Sequence, residues 1–142
     1  MKLLKVKENE EKISKFLFAL RNKDYVRKNS INKKKIKWSN HKKWMQNFFI
    51  KKNFIYVLKE KKALIGYVRF EKNKDTYDVS WAVSKKFQNK GLAKKCLKNT
   101  TKDTSFKYRS IILKNNKPSI KVAENAKFKL KFKKKNQYYF YK

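Results

Sequence analysis

The chain has two glycines in 142 residues, and one of them, Gly91, stands inside the lysine-rich run FQNKGLAKKC, residues 87–96. Before it, in YDVSWAVS, Val79, Trp81 and Val83 alternate with Asp78, Ser80 and Ala82, the pattern of a half-buried strand. After it, Ala93, Cys96 and Leu97 recur on one side of a helix. Gly91 therefore marks a strand-to-helix junction. The first N–H groups of a helix have no intrahelical acceptor, and the helix dipole also favours negative charge there. Glycine lets a bulky anion approach the backbone without a Cβ in the way. Lys90, Lys94 and Lys95 add positive charge around the junction. The expectation is an anion site.

Charge is the next constraint. Lys and Arg number 42 against 10 Asp and Glu, for a net charge of +32. Such a field attracts polyanions, so non-specific nucleic-acid association is open to the chain. Yet lysine supplies nearly all of it, with four arginines (Arg21, Arg27, Arg69, Arg109). Abundant Asn, Ile, Phe and Tyr beside scarce Gly, Pro and Ala are the residue choice of an AT-rich genome. Arginine, the better bidentate reader of phosphates and bases, is not enriched. Charge alone thus names no function. The aromatic content of 15% speaks against a disordered basic tail. No apolar run approaches the roughly 18 residues of a membrane span, so no membrane insertion is expected and a cytoplasmic location is. One cysteine, Cys96, excludes a disulfide framework and a cysteine-rich metal site, and no metal is expected. Its spacing with Ala93 and Leu97 assigns it to the core.

One domain over residues 1–142 is expected, since no repeat or Gly/Ser/Pro linker divides the chain. KLLKV reads as a short strand. Ile13, Phe16, Leu17 and Leu20 then fall at i, i+3, i+4, i+7, an amphipathic helix. WSNHKKWMQNFFIK predicts a second helix, capped by Ser39 or Asn40, with His41, Trp44 and Phe48 on one face. NFIYVLK, ALIGYVRF and YDVSWAVS are strands, the first two joined at hairpin distance. After the helix at Gly91 come the strand YRSIILK, a short helix with Pro118 in its first turn, and the runs KFKLKFK and QYYFY. The order β-α-α-β-β-β-α-β-α-β-β describes an α+β domain with a mixed, mostly antiparallel sheet flanked by helices.

VSWAVSKKFQNKGLAKKCL resembles the acetyl-CoA signature of the GNAT N-acetyltransferases, a strand, Arg/Gln-x-x-Gly-x-Gly/Ala, and a helix. Gln88, Gly91 and Ala93 take those places, and Asn89 stands where many members have glycine. ILKNNKPSIKVAENAKF is similar to the family's later segment: Asn116, Ser119, Glu124 and Phe128 align, while Lys127 replaces the usual glycine. Ala123 occupies the position of the tyrosine that in many members protonates the departing thiolate. The N-terminal half, LRNKDYVRKNSINKKKIKWSNHKKWM with LIGYVRFE, is similar to the members that acetylate nucleotide-linked 4-amino sugars in pseudaminic acid biosynthesis.

The resemblance implies acetyl-CoA as cosubstrate. Backbone groups at Ala82 and Val83 would pair with its pantetheine arm, and Gln88, Asn89, Lys90, Gly91, Leu92 and Ala93 would hold its pyrophosphate, with Asn116 and Ser119 contributing. It also implies a nucleotide-linked amino sugar as partner, bound by Arg21, Asn22, Arg27, His41, Trp44 and Arg69. The amine would attack the thioester directly in a ternary complex. His41, the single histidine, and Glu71 are the candidate proton acceptors, with Asp78 a further one. Two alternatives stay open: another amine acceptor, such as a protein N-terminus or a small metabolite, and an inactive nucleic-acid-binding domain.

Overall fold

The computed structural model describes all 142 residues. The elements are β1 (Lys2–Val6), α1 (Glu11–Arg21), α2 (Asp24–Arg27), α3 (Trp38–Ile50), β2 (Phe54–Glu60), β3 (Ala63–Asn73), β4 (Thr76–Val83), α4 (Leu92–Thr100), β5 (Lys107–Leu113), α5 (Lys117–Asn125), β6 (Lys129–Lys134) and β7 (Gln137–Tyr141). A single 3-10 turn, Lys85–Phe87, follows β4. The seven strands form one sheet in the order β1-β2-β3-β4-β5-β7-β6. This is the expected α+β order, with α2 added between the first two expected helices. The second helix begins at Trp38 with Lys37 as its N-cap and no side-chain cap, so neither Ser39 nor Asn40 caps it.

Each face of the sheet buries its own core, because successive residues of a strand point to opposite sides. On one face, Val68, Phe70, Val79 and Val83 pack with Cys96 and Leu97 of α4 and Val122 and Ala123 of α5. On the other, Tyr67 and Ala82 pack with Leu17 and Leu20 of α1 and Met45 and Phe48 of α3. That second face also carries Arg69 and Glu71 of β3 and Asp78 and Ser80 of β4. Their polarity fits a sheet surface that helices cover only in part.

β4 and β5 run parallel, and they pair for three residues only, Thr76–Asp78 with Lys107–Arg109. At the last rung Arg109 donates to Asp78 through Nε at 2.7 Å and Nη2 at 2.9 Å. Beyond it the strands part, and β5 continues its ladder with β7 as far as Leu113.

The scarcity of glycine leaves left-handed backbone positions to other residues. Lys61, Lys74 and Lys135, in the hairpin turns, have φ of 54°, 58° and 57°. Lys127 has φ 73° and ends α5 in a Schellman arrangement, Phe128 N–H to Ala123 O and Lys127 N–H to Glu124 O, both at 3.0 Å. The turn geometry is preserved although the usual glycine is absent. Gly66 is retained for a different reason: a Cβ there would lie 2.7 Å from Ala82 O on the neighbouring strand. Two outcomes are expected in urea unfolding. Lys127→Gly stabilises by about 1 kcal/mol through relief of left-handed strain, and Gly66→Ala destabilises by about 1–3 kcal/mol through a backbone clash.

Candidate active site

Where β4 and β5 part, the gap opens into a cavity of about 1130 Å³. Strand alternation decides what β4 presents to it. Ser84 N–H donates to Ile65 O at 2.8 Å, so in the unbroken ladder the residues bonded to β3 are Ala82 and Ser80. The N–H and C=O groups of Trp81 and Val83 therefore face the gap, past the end of the β5 ladder. Gln88 donates to Val83 O through Nε2 at 3.0 Å. Val83 N–H and both backbone groups of Trp81 remain to pair with a ligand. An extended chain bearing amides, laid in the gap, would supply the missing rungs. Ala82 itself directs its backbone to β3; the cleft-facing partner of Val83 is Trp81.

The far end of the gap is the junction at Gly91 where an anion site is expected. Asn89 and Gly91 both have left-handed backbone, φ 61° and 73°. Gly91 is the N-cap of α4, with no side chain capping the helix. The first intrahelical bond is Lys95 N–H to Gly91 O, which leaves the N–H groups of Leu92, Ala93 and Lys94 free of intrahelical acceptors. A Cβ at Gly91 would meet nothing within 4 Å, so the left-handed backbone, not internal crowding, selects glycine here. Gln88, Asn89, Gly91, Leu92, Ala93 and Lys94 line the cavity, whereas Lys90 does not and instead lies 5.4 Å from the Phe87 ring centre. Asn116 and Ser119 line it from α5, where Asn116 Oδ1 accepts the Ser119 N–H at 3.3 Å as the helix cap.

The other wall is built by α1, α3 and β3. His41 is fully buried, and its Nε2–H donates to Ser14 O at 2.8 Å. That bond fixes the tautomer, so Nδ1 is the acceptor and faces Arg21 Nη1 at 3.5 Å. Burial, reinforced by the Arg21 cation, pushes the imidazole pKa below its ordinary value despite the Ser14 bond. The ring is neutral with both nitrogens engaged, and it holds Arg21 in place. Of the four arginines, Arg27, Arg69 and Arg109 pair with Asp24, Glu71 and Asp78; Arg21 has no carboxylate. Its guanidinium lies 4.5 Å from the Trp44 ring centre, and that of Arg69 lies 5.2 Å from the same ring. Burial, with the nearby Arg69 cation, brings the Arg21 pKa down to about 10, against the opposing pull of Tyr67 and Glu71.

Arg21, His41, Trp44, Arg69, Ala82 and Val83 thus line one cavity with the anion loop. Asn22 and Arg27 do not. Asn22 pins the base of the α2–α3 segment through Nδ2–H to Ile36 O at 2.9 Å and Oδ1 from Ile36 N–H at 2.7 Å. Arg27 holds the same segment through Asp24 at 2.8 Å and Lys33 O at 3.2 Å. Glu71 sits beside Arg69 on the same face, its Oε1 2.9 Å from Arg69 Nε, outside the cavity wall. Sequence reasoning missed Ser80 and Ser110, hydroxyls on the two parting strands, and Tyr25, whose hydroxyl accepts the Lys85 N–H at 3.0 Å. A hydroxyl in mid-strand was the available signal for the serines.

A split parallel pair beside an uncapped helix N-terminus agrees with a match over residues 6–129 to the family model described as the acetyltransferase (GNAT) domain. The chain belongs to the GNAT acetyltransferase family. It is an acetyl-CoA-dependent N-acetyltransferase domain, and no helix in it is long and apolar enough to cross a membrane. No curated protein matches it in sequence. Among solved structures, it is similar to a GNAT acetyltransferase from Bacillus anthracis at 21% identity, covering 100% of this chain and 95% of that one with a TM-score of 0.79. A ribosomal-protein-alanine N-acetyltransferase from Brucella melitensis gives 14% identity, 100% and 99% coverage, and 0.80. The spermidine N-acetyltransferase of Vibrio cholerae, solved with CoA and spermine, gives 15%, 98% and 92%, and 0.79. At these identities the likeness carries the fold.

His41 sets a pH dependence. Its folded pKa lies below the ordinary 6.5, so the unfolded state binds the proton first. Its contribution to stability is complete above pH 6.5 and is lost as pH falls through the folded value. Urea midpoints between pH 7 and 5 should fall in the wild type and flatten in His41→Gln.

Proposed function

We propose that this GNAT domain transfers acetyl from acetyl-CoA to the primary amine of an anionic acceptor, a nucleotide-linked amino sugar. The observation that carries the acceptor is Arg21, the one arginine without a carboxylate, placed with Arg69 against Trp44 in the cleft. A diphosphate meets the carboxylate-free Arg21 guanidinium with charge-assisted, bidentate bonds, and Arg69 lies beside the same ring. A polyamine or an aminoglycoside would enter the same place against the positive charge of Arg21.

The chain's own groups fit the cosubstrate. Trp81 and Val83 present backbone groups for pantetheine amides, and Leu92, Ala93 and Lys94 present free N–H groups with added lysine charge for the pyrophosphate. Acetyl-CoA, when bound, supplies an activated acyl carbon and a thiolate leaving group. Trp81 N–H, fixed in the strand and unpaired, is the donor an acyl oxygen needs as charge develops on it. Glu71, paired with the cleft-lining Arg69 but itself outside the cavity wall, is the candidate acceptor of the amine proton, through a water. His41 acts through Arg21 as a positioning residue, because its ring has no free nitrogen to receive a proton. Ala123, fully buried in the α4–α5 core, supplies no acid.

The reading is tested with acetyl-CoA and a panel of amines in roughly 0.3 M salt, where generic attraction is screened over a few ångströms. A UDP-linked amino sugar should be acetylated in preference to spermine, an aminoglycoside or a peptide N-terminus. Arg21→Gln should lower kcat/KM for the sugar by about 10–100-fold, the worth of a charge-assisted bond, and leave the acetyl-CoA Kd in place. Gly91→Glu should abolish acetyl-CoA binding. Preference for spermine or the peptide would overturn the acceptor assignment.

A further inference from the structure

Two buried side-chain polar atoms in this protein have no hydrogen-bond partner, Arg69 Nε and Ser80 Oγ. They are neighbours. Arg69 of β3 and Ser80 of β4 stand directly opposite each other in the antiparallel ladder, with side chains on the α1–α3 face. Both residues line the cleft. Arg69 Nε lies 2.9 Å from Glu71 Oε1, so charge is compensated, but its N–H is not directed at the carboxylate and makes no bond there. Buried polar groups are nearly always paired, and one left unpaired costs its full desolvation. Two unpaired groups on one rung, both facing a cleft, point to a partner that arrives with the ligand.

We infer that Ser80 and Arg69 bind an oxygen of the acceptor adjacent to its reacting amine, so that the domain selects amines carrying a vicinal hydroxyl. The inference rests on the acetyl-transfer reading of the cleft. Position supplies the adjacency. Ser80 immediately precedes Trp81, whose N–H faces the gap where the acyl group must lie, and its side chain points to the face occupied by Arg21 and Trp44. An atom bonded to Ser80 Oγ is therefore next to the site of attack. Chemistry supplies the oxygen. Arginine Nε–H only donates, whereas a serine hydroxyl donates or accepts. A hydroxyl oxygen satisfies both, accepting from Arg69 while exchanging a bond with Ser80. A second ammonium donates to Ser80 Oγ but cannot accept from Arg69, whose Nε–H stays unpaired. A plain alkyl amine leaves both groups unpaired in the complex, which is the strongest form of discrimination a polar site offers.

The test uses two amines that differ only in that hydroxyl, trans-2-aminocyclohexanol and cyclohexylamine, with acetyl-CoA and the intact protein. The wild type should favour the amino alcohol in kcat/KM by about 10–100-fold. Ser80→Ala should bring the ratio close to one, and Ser80→Thr, which keeps a hydroxyl, should restore much of it. The urea midpoint of Ser80→Ala should not fall, because the hydroxyl it removes has no partner in the free protein. Equal use of both amines by the wild type, turnover of neither, or a preference that survives in Ser80→Ala would overturn the inference. So would a loss of stability in Ser80→Ala that accounts for its activity. If the UDP-linked amino sugar is refused while the hydroxyl preference stands, the acceptor proposed above falls and this subsite remains.

Discussion

The architecture turns on one rung. Arg109 and Asp78 join β5 to β4 by two short bonds at the last paired position, and beyond them the two parallel strands diverge. An unbroken sheet would have consumed every backbone group of Trp81 and Val83. The divergence leaves both Trp81 groups and the Val83 N–H without a ladder partner, Gln88 having taken the Val83 carbonyl, which is an unfavourable state unless a ligand completes it. Because β5 keeps its pairing with β7, the gap is a stable feature of the fold and not a frayed edge.

Both ends of that gap are organised by backbone geometry as much as by side chains. At one end, two left-handed residues, Asn89 and Gly91, turn the chain so that α4 begins with uncapped N–H groups facing the cleft. At the other, α1 and α3 bring His41 and Arg21 together. The buried imidazole uses Ser14 O to settle its tautomer and offers its remaining nitrogen to the guanidinium. A guanidinium held by a neutral ring, with no carboxylate, keeps its charge available. Three arginines are given to carboxylates and one to a histidine, so Arg21 alone enters the cleft without a carboxylate partner.

Much of this was legible in the chain itself. The alternation of Val79, Trp81 and Val83 and the helical recurrence of Ala93, Cys96 and Leu97 located Gly91 at its junction, because periodicity reports which side of an element is buried. Elements with a strong period were read correctly. The cap of α3 was not: Ser39 and Asn40 are helical from Trp38 onward, and a cap depends on where the preceding chain arrives, which no local pattern encodes. Asn22 and Arg27 illustrate a related limit. Their residue types suit ligand contacts, but the turn of the α2–α3 segment directs both toward its own backbone.

The sequence by itself determined the class of fold, the single left-handed glycine at a helix start, and the family to which both belong. These follow from local periodicity and from backbone conformations that only certain residues adopt easily. Tertiary structure decided the rest. That Trp81 rather than Ala82 turns its backbone to the cleft depends on register with β3, and the tautomer of His41 depends on Ser14, far away in the chain. The pairing of Arg69 with Ser80 across a strand, with both groups unsatisfied, exists only once β3 and β4 have aligned. Such relations join residues distant in sequence, and hydrogen-bond satisfaction is a property of the folded whole.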